Sequence, residues 1–140
     1  LFEQNVDFQL IIMGQQFRNQ PAIFSHAKEK LADRIVCWGE QDNATYQNWL
    51  CKSQFVVSTA RHEFQGLAIM EAVQNGCIPV VPERLSYPEW FSQEYLYGNS
   101  CDELARHLHN NLEASSLVSP NLDHLCWDNL IDRYRQLLVE

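Results

Sequence analysis

Two glutamates frame the start of a predicted helix in the segment RHEFQGLAIMEAV. Glu63 comes just before Gly66, and Glu71 follows Gly66 by five residues. A helix that begins near Gly66 would direct unpaired backbone N–H groups and its positive dipole end toward an anion, which the glycine would let approach closely. The pattern therefore predicts a phosphate or diphosphate at the mouth of this helix.

The two carboxylates suit hydroxyl groups on either side of that anion. Glu71 would lie ~7 to 8 Å beyond the helix start at ~1.5 Å per residue, roughly the distance from a phosphate to a ribose, where it could accept hydrogen bonds from both ribose hydroxyls. Glu63 would bind hydroxyls at the far end of a diphosphate. On spacing alone, a second interpretation stays open, in which Glu63 is only a favourable partner of the helix dipole and Glu71 a solvated surface residue.

Short apolar runs alternate with helix-like segments along the chain. Alternation at these lengths implies right-handed βαβ crossovers and an α/β fold, with a Rossmann-like parallel sheet covered by helices on both faces. Ligands bind such sheets at the carboxyl ends of the strands, so residues 61–65 should line the cleft. Strands are predicted at 8–14, 35–39, 54–60, 77–82 and 94–98, helices at 21–34, 42–53, 66–76, 101–114 and 125–138, and irregular structure at 83–93. Gly14 and Gly39 are expected to close the first two strands, a capping residue to open the helix at 42–53, and Gly76 to cap the end of the helix at 66–76.

Length and composition suit one compact domain over residues 1–140. The chain is 46% hydrophobic and 11% aromatic, which is enough for a single core. Because it begins at Leu1 without a leader segment, we expect it to be a fragment of a longer protein. No apolar stretch reaches the roughly 18 to 20 residues that span a bilayer, so membrane insertion is not expected.

Charge and cysteine content restrict the class of protein further. Ten Lys and Arg against 18 Asp and Glu give a net charge of -8, so the chain by itself is predicted to bind nucleic acid poorly. The five cysteines are scattered and include no CxxC pair. This pattern indicates reduced thiols in a cytoplasmic protein and gives no support for a structural zinc site.

The segment FVVSTARHEFQGLAIMEAVQNGCIPVVP resembles the donor-binding segment of the retaining GT-B glycosyltransferases of the "group 1" family. The signature of that family is Glu, seven intervening residues and Glu, which Glu63 and Glu71 match. The preceding IVCWGEQDNATYQNWLCKSQF fits the family's order of strand, glycine, helix and strand, and the resemblance covers most of residues 8–91. More narrowly, STARHEFQGLAIMEAV and LSYPEWF are similar to the tRNA-queuosine mannosyltransferases, which use GDP-mannose.

The resemblance implies a role for each residue at the helix start. Glu63 would contact hydroxyls of the donor hexose, and Glu71 would hold the ribose. The backbone N–H groups of Gly66 and Leu67 would bind the distal phosphate, and Ala68 would complete the donor site in the same turn.

A basic side chain that neutralises the diphosphate is also implied. Arg18, which follows Gly14 by four residues, and Arg61 are the two candidates, and Arg18 departs from the spacing of the family's usual Arg and Lys pair. Gly14 itself is assigned to the donor site. His62 would either contact the donor or hydrogen-bond a loop carbonyl.

The reaction implied is transfer of a hexose with retention of anomeric configuration. Stabilisation of the departing diphosphate would drive it, without a protein nucleophile, a metal or another cofactor. The expected partners are a nucleotide-sugar donor, an N-terminal acceptor domain outside these residues and a tRNA acceptor bound through the full-length protein. Alone, this chain would bind donor but turn over little.

Several alternatives remain open at this point. The chain could use UDP- or ADP-glucose with a carbohydrate acceptor, or it could be a non-catalytic nucleotide-binding domain. A dinucleotide oxidoreductase is disfavoured because no GxGxxG motif follows any predicted strand. Tyr87, Pro88 and Glu89 either border the sugar pocket or only set the direction of the chain.

Overall fold

Strands and helices alternate along the computed structural model, which describes residues 1, 6–15, 21–98, 100–114 and 117–138. The strands are β1 (Leu10–Met13), β2 (Ile35–Gly39), β3 (Phe55–Val57), β4 (Ile78–Pro82) and β5 (Leu96–Tyr97). The helices are α1 (Ala22–Lys30), α2 (Asn43–Lys52), α3 (Leu67–Gln74), α4 (Tyr87–Trp90), α5 (Cys101–Ala114) and α6 (Trp127–Leu138). Short 3-10 helices cover Ala32–Arg34, Gln93–Tyr95 and Asp123–Leu125.

The chain forms two compact units, Leu1–Lys52 and Ser53–Glu140. In the first unit, β1 and β2 pair in parallel. Gly14 follows β1 with φ +146, and its N–H donates to the carbonyl of Gly39 over 3.1 Å. The glycine after each of these strands was predicted to end it, and Gly39 is the last residue of β2.

The predicted capping residue directly precedes helix α2. The Asp42 carboxylate accepts hydrogen bonds from the N–H and the hydroxyl of Thr45, each over 2.9 Å. The backbone hydrogen bond from Thr45, followed by the side-chain one, lowers the pKa of Asp42 because both stabilise the charged form. The cap that the sequence predicted is confirmed.

The second unit has a three-stranded parallel sheet with β4 between β3 and β5. Every residue of β4 is buried, as expected for a continuous apolar run in the centre of a parallel sheet. Parallel sheets flanked by helices confirm the predicted α/β, Rossmann-like fold class. The buried core consists of Ile69, Val73, Ile78, Val81, Tyr87, Phe91, Tyr95, Leu96 and Leu122.

Helix α3 starts one residue after the predicted position. Gly66 is its N-cap and lies in the left-handed region with φ 72 and ψ 32, which glycine adopts without a side-chain penalty. The helix ends at Gln74, and Gly76 follows with φ 96. The N–H of Gly76 donates to the carbonyl of Val73 over 2.9 Å, which closes the last turn as the sequence predicted.

Two local predictions were wrong. The segment 83–93, predicted to be irregular, contains the one-turn helix α4, and Pro88 lies in its first turn, where a missing N–H costs nothing. The strand predicted at 54–60 is β3, which ends at Val57. None of the helices in the described ranges is long and apolar enough to cross a membrane.

Candidate active site

The loop between β3 and α3, residues 58–66, follows the carboxyl end of β3 and is tied to the neighbouring strand ends. The Tyr97 hydroxyl, at the end of β5, donates to the carbonyl of Ser58 over 2.8 Å. The N–H of Glu83, just after β4, donates to the carbonyl of Tyr97 over 2.7 Å. The loop therefore lies at the edge of the sheet where ligands of parallel α/β sheets bind.

Ser58 anchors the start of this β3–α3 loop. Its Oγ lies 2.7 Å from the Tyr87 hydroxyl in a buried hydrogen bond, and it also accepts the N–H of Ala60 over 3.2 Å. Its own N–H donates to the carbonyl of Val80 over 3.1 Å. Burial raises the pKa of Tyr87 above its ordinary value. The Ser58 hydrogen bond lowers this pKa and the negative charge of Glu63 raises it, both by less than burial does. The phenol therefore keeps its proton at neutral pH.

Glu63 is half-buried in the same loop. Its Oε1 accepts hydrogen bonds from the N–H groups of Phe64 over 3.0 Å and Gln65 over 3.4 Å. These bonds fold the carboxylate back onto the backbone of the loop. Within the described residues, the local turn therefore sets its position.

The start of α3 lies directly against the ring of Tyr87. A Cβ placed on Gly66 would come within 3.0 Å of the Tyr87 Cε1 atom. Gly66 provides no side-chain cap, and the side chains of Leu67 and Ala68 are exposed. In the part of the chain that the structure describes, the first turn of α3 therefore has no side-chain cap at its N-cap, as an anion site formed by backbone N–H groups requires.

Glu71 lies on the face of α3 that begins at Leu67, because the two residues are one turn apart. The opposite face carries the buried residues Ile69 and Val73. The Cα–Cβ bonds of a helix tilt toward its N-terminus, so the Cβ of the half-buried Glu71 is directed toward the first turn, which lies ~7 Å away along the axis. This orientation suits the predicted ribose contact, which stays a prediction.

The remaining predicted residues divide between three places. Arg61 and His62 are exposed in the β3–α3 loop, next to Glu63. Gly14 belongs to the first unit, at the end of β1. Arg18 lies outside the described residues. The choice between Arg18 and Arg61 as the partner of the diphosphate therefore stays open.

Sequence reasoning named Tyr87 only as a residue that borders the sugar pocket or sets the direction of the chain, and it missed the contacts that support the loop. Arg84 donates from Nε and Nη2 to the carbonyl of Ala60 over 3.3 and 3.1 Å. Tyr87 is 1% exposed and packs under the loop, whereas Pro88 and Glu89 are exposed. The hydroxyl of Tyr87 meets Ser58 across 29 positions of sequence, a separation that leaves no local pattern to recognise.

A second feature of this unit is a polar pocket of about 180 Å³ beside β5 and α5. Burial lowers the pKa of His107 in its wall, and the His107 Nε2 atom is buried without a hydrogen-bond partner among the described residues. None of the predicted donor residues lines this pocket. Its lining residues are Leu96, Tyr97, Gly98, Glu103, Arg106, His107 and Asn110.

Comparison with known proteins supplies independent information on the family. A family model described as group 1 glycosyl transferases matches residues 1–113. The tRNA-queuosine alpha-mannosyltransferase of Drosophila melanogaster is 39% identical over 110 residues, which are 79% of this chain and 29% of that protein. A "probable glycosyltransferase" of Arabidopsis thaliana is 32% identical over 62 residues, 44% of this chain and 13% of that protein. No solved structure matches the chain.

The chain thus spans less than a third of the length of either relative. The family model nevertheless extends from before β1 to the last turn of α5, and so includes both sheets and the β3–α3 loop. A match over most of the chain is sufficient to assign the family. The chain belongs to the group 1 glycosyl transferase family.

Proposed function

We propose that this chain is the donor-binding part of a retaining glycosyltransferase that transfers mannose from GDP-mannose to queuosine in tRNA. The observation that carries the proposal is the 39% identity with a tRNA-queuosine alpha-mannosyltransferase. An aligned stretch of 110 residues in a chain of 140 necessarily includes residues 31–110. The comparison therefore covers Glu63, Glu71 and the whole β3–α3 loop.

The proposed mechanism uses the start of α3 to stabilise the leaving group. The diphosphate of the donor lies against the N–H groups of Gly66 and Leu67, where the dipole of α3 favours negative charge. Glu71 accepts hydrogen bonds from the ribose, and Glu63 accepts them from the hexose. Charge that develops on the departing diphosphate is neutralised by this dipole and by Arg61 or Arg18, without a metal ion or a protein nucleophile.

The proposal requires a second domain that provides the acceptor site. A net charge of -8 makes this chain unsuited to gathering the phosphates of tRNA, so the second domain would carry the basic surface. We also propose a cytoplasmic location, because the five cysteines are all free, as in reducing compartments.

Calorimetric titration with GDP, GDP-mannose, UDP-glucose and NAD tests the donor assignment. Binding of a guanine nucleotide to the full-length protein is expected, and Glu71→Ala should weaken it roughly 10- to 100-fold, since a hydrogen bond to a charged group contributes about 1.5 to 3 kcal/mol. Glu94→Ala is the matched control, because Glu94 is an exposed glutamate just before β5. It lies at the amino end of that strand, whereas the donor site is predicted at the carboxyl ends of the strands. The Glu94→Ala variant should leave the affinity unchanged.

The alternatives give different outcomes in the same titration. Preference for a uridine or adenine nucleotide sugar would keep the transferase and reject the mannose and tRNA assignment. Nucleotide binding without sugar transfer to any acceptor would favour a non-catalytic domain. Failure of the full-length protein to bind any of the nucleotides would reject the donor site itself.

A further inference from the structure

We propose that Tyr87 is a positioning residue that holds the β3–α3 loop in the conformation that receives the donor. It acts through the loop and does not itself contact the donor. The proposal rests on the proposed function only in naming a nucleotide sugar as the ligand of the loop. The contacts that support it are independent of that identity.

Tyr87 contacts both ends of the nine-residue loop. Its hydroxyl is hydrogen-bonded over 2.7 Å to Oγ of Ser58, the first residue of the loop. Its ring lies against Gly66, the last residue, so closely that an added Cβ would approach Cε1 to 3.0 Å. One rigid side chain therefore fixes the distance between the two points where the loop leaves β3 and enters α3.

The loop is hydrogen-bonded to the rest of the unit on one side, its base, and is exposed on the other, its outer side. At the base, Tyr97 binds the carbonyl of Ser58 and Arg84 binds the carbonyl of Ala60. On the outer side the residues are exposed, as shown by Phe64, whose side chain is 94% exposed. Besides the bonds that Glu63 accepts within the loop, the loop's hydrogen bonds to the rest of the described unit are therefore at its base.

Tyr87 itself is held firmly enough to serve as such a support. It is 1% exposed and belongs to the buried core cluster, together with Val81 of β4 and Ile69 of α3. The segment before it is strained, since Leu85 has φ 61, a conformation that a leucine rarely adopts. Strain of this kind persists only where the surrounding structure determines the backbone, as expected beside a binding site.

The expected consequence follows from how tightly a donor site must be placed. Groups that bind and orient a substrate must be held within about 0.5 Å of their working positions, and a displacement of 1 Å costs up to about 100-fold in rate. Loss of the Tyr87 hydroxyl would free the Ser58 side chain from this anchor, while the ring stays against Gly66 and the Ser58 backbone stays bonded to Tyr97. We therefore expect an intermediate effect, a decrease of about 10-fold in kcat/KM for the donor.

The test compares Tyr87→Phe, Ser58→Ala and their double variant with Tyr95→Phe in the full-length enzyme. Tyr95 is the matched control because it is also buried in the same core, at 4% exposure, and donates one hydrogen bond, to the carbonyl of Val118 over 2.9 Å. The readouts are kcat/KM for the donor, hydrogen exchange of the loop amides in the unliganded protein, and the urea midpoint.

We expect Tyr87→Phe and Ser58→Ala to lower kcat/KM about 10-fold and to speed exchange of the loop amides. The double variant should be no worse than the poorer single variant, because both remove the same hydrogen bond. Tyr95→Phe should lower the urea midpoint by a similar amount and change neither of the other two readouts. Equal effects of Tyr87→Phe and Tyr95→Phe on kcat/KM or on loop exchange would overturn the proposal.

Two features keep the test decisive. If Tyr87→Phe does not fold, Ser58→Ala removes the same hydrogen bond without changing the ring. It also removes the bond that Oγ accepts from the Ala60 N–H, so the Ala60 amide is left out of the exchange comparison. Unchanged exchange of the other loop amides in that variant overturns the proposal. If the wild-type enzyme transfers no sugar, the proposed function fails, but hydrogen exchange still decides whether the Tyr87 hydroxyl holds the loop.

Discussion

Replacement of Gly66 by alanine tests how closely the start of α3 packs against the buried ring of Tyr87. Gly66 has φ 72, which disfavours any residue with a Cβ atom, and the new Cβ would lie 3.0 Å from Tyr87 Cε1. The nearest neighbour is a buried aromatic ring at 1% exposure, which cannot swing away as a flexible side chain would. Gly66→Ala is therefore expected to combine two unfavourable effects.

The two effects can be separated by a second glycine, Gly76, which follows the end of the same helix. Gly76 also has positive φ, at 96, but an added Cβ would meet nothing within 4 Å. Left-handed backbone costs a residue other than glycine about 1 to 2 kcal/mol, and this should be the whole effect of Gly76→Ala. The steric contact at Gly66 adds the cost of overpacking, typically about 1 to 3 kcal/mol. We expect Gly66→Ala to lower the free energy of unfolding by about 2 to 5 kcal/mol, the sum of the two ranges.

Urea denaturation monitored by tryptophan fluorescence gives both values. A difference of about 1 kcal/mol or more between the two variants supports the contact between Gly66 and Tyr87. Donor binding should fall in Gly66→Ala alone, because only that glycine lies at the predicted anion site. A Gly66→Ala variant as stable as Gly76→Ala would show that the loop can move away from the ring, and would refute the reasoning.

Three further predictions concern side chains outside the proposed contacts with the donor. Burial lowers the pKa of His107 below its ordinary 6.5, so the unfolded chain binds the proton first and stability is lost as pH falls below about 6.5. Urea midpoints should drop more between pH 7.5 and 5.5 in the wild type than in His107→Gln, and parallel curves would contradict this. The Ser86 hydroxyl is buried without a hydrogen-bond partner in the described ranges. Ser86→Ala should therefore leave the free energy of unfolding unchanged or raise it by up to about 1 kcal/mol. A clear decrease in this free energy would reveal a hydrogen bond. Phe64 is 94% exposed, so Phe64→Ala should change the free energy of unfolding by less than about 0.5 kcal/mol, and a larger decrease would mean that the ring is covered.

The elements of the fold could be predicted because their signals are local. The continuous apolar run of β4, the cap at Asp42 and the glycine after α3 each determine structure through residues a few positions away. The end of β3 could not be predicted in the same way. Ser58 and Ala60 follow an apolar, β-branched run, but hydrogen bonds to Tyr87 and Arg84, both distant in sequence, shape that backbone as a loop.

The candidate site shows the same division between local and distant signals. The spacing of Glu63, Gly66 and Glu71 was visible because one loop and one helix carry all three residues. The support beneath them was not visible, since Tyr97 reaches Ser58 across 39 positions. Such hydroxyl contacts have no periodicity, and the residues that make them look like ordinary core aromatics in the sequence.

The core and the candidate site of this unit share their residues, so folding and donor binding should be coupled. The buried face of α3, formed by Ile69, Ala72 and Val73, sets the rotation of the helix about its axis. That rotation leaves Glu71 on the face of the exposed first turn. Tyr87 belongs to the same core and fixes the loop that carries Glu63. A close-packed interior transmits displacement, so a change in this core would move both carboxylates relative to the anion site between them.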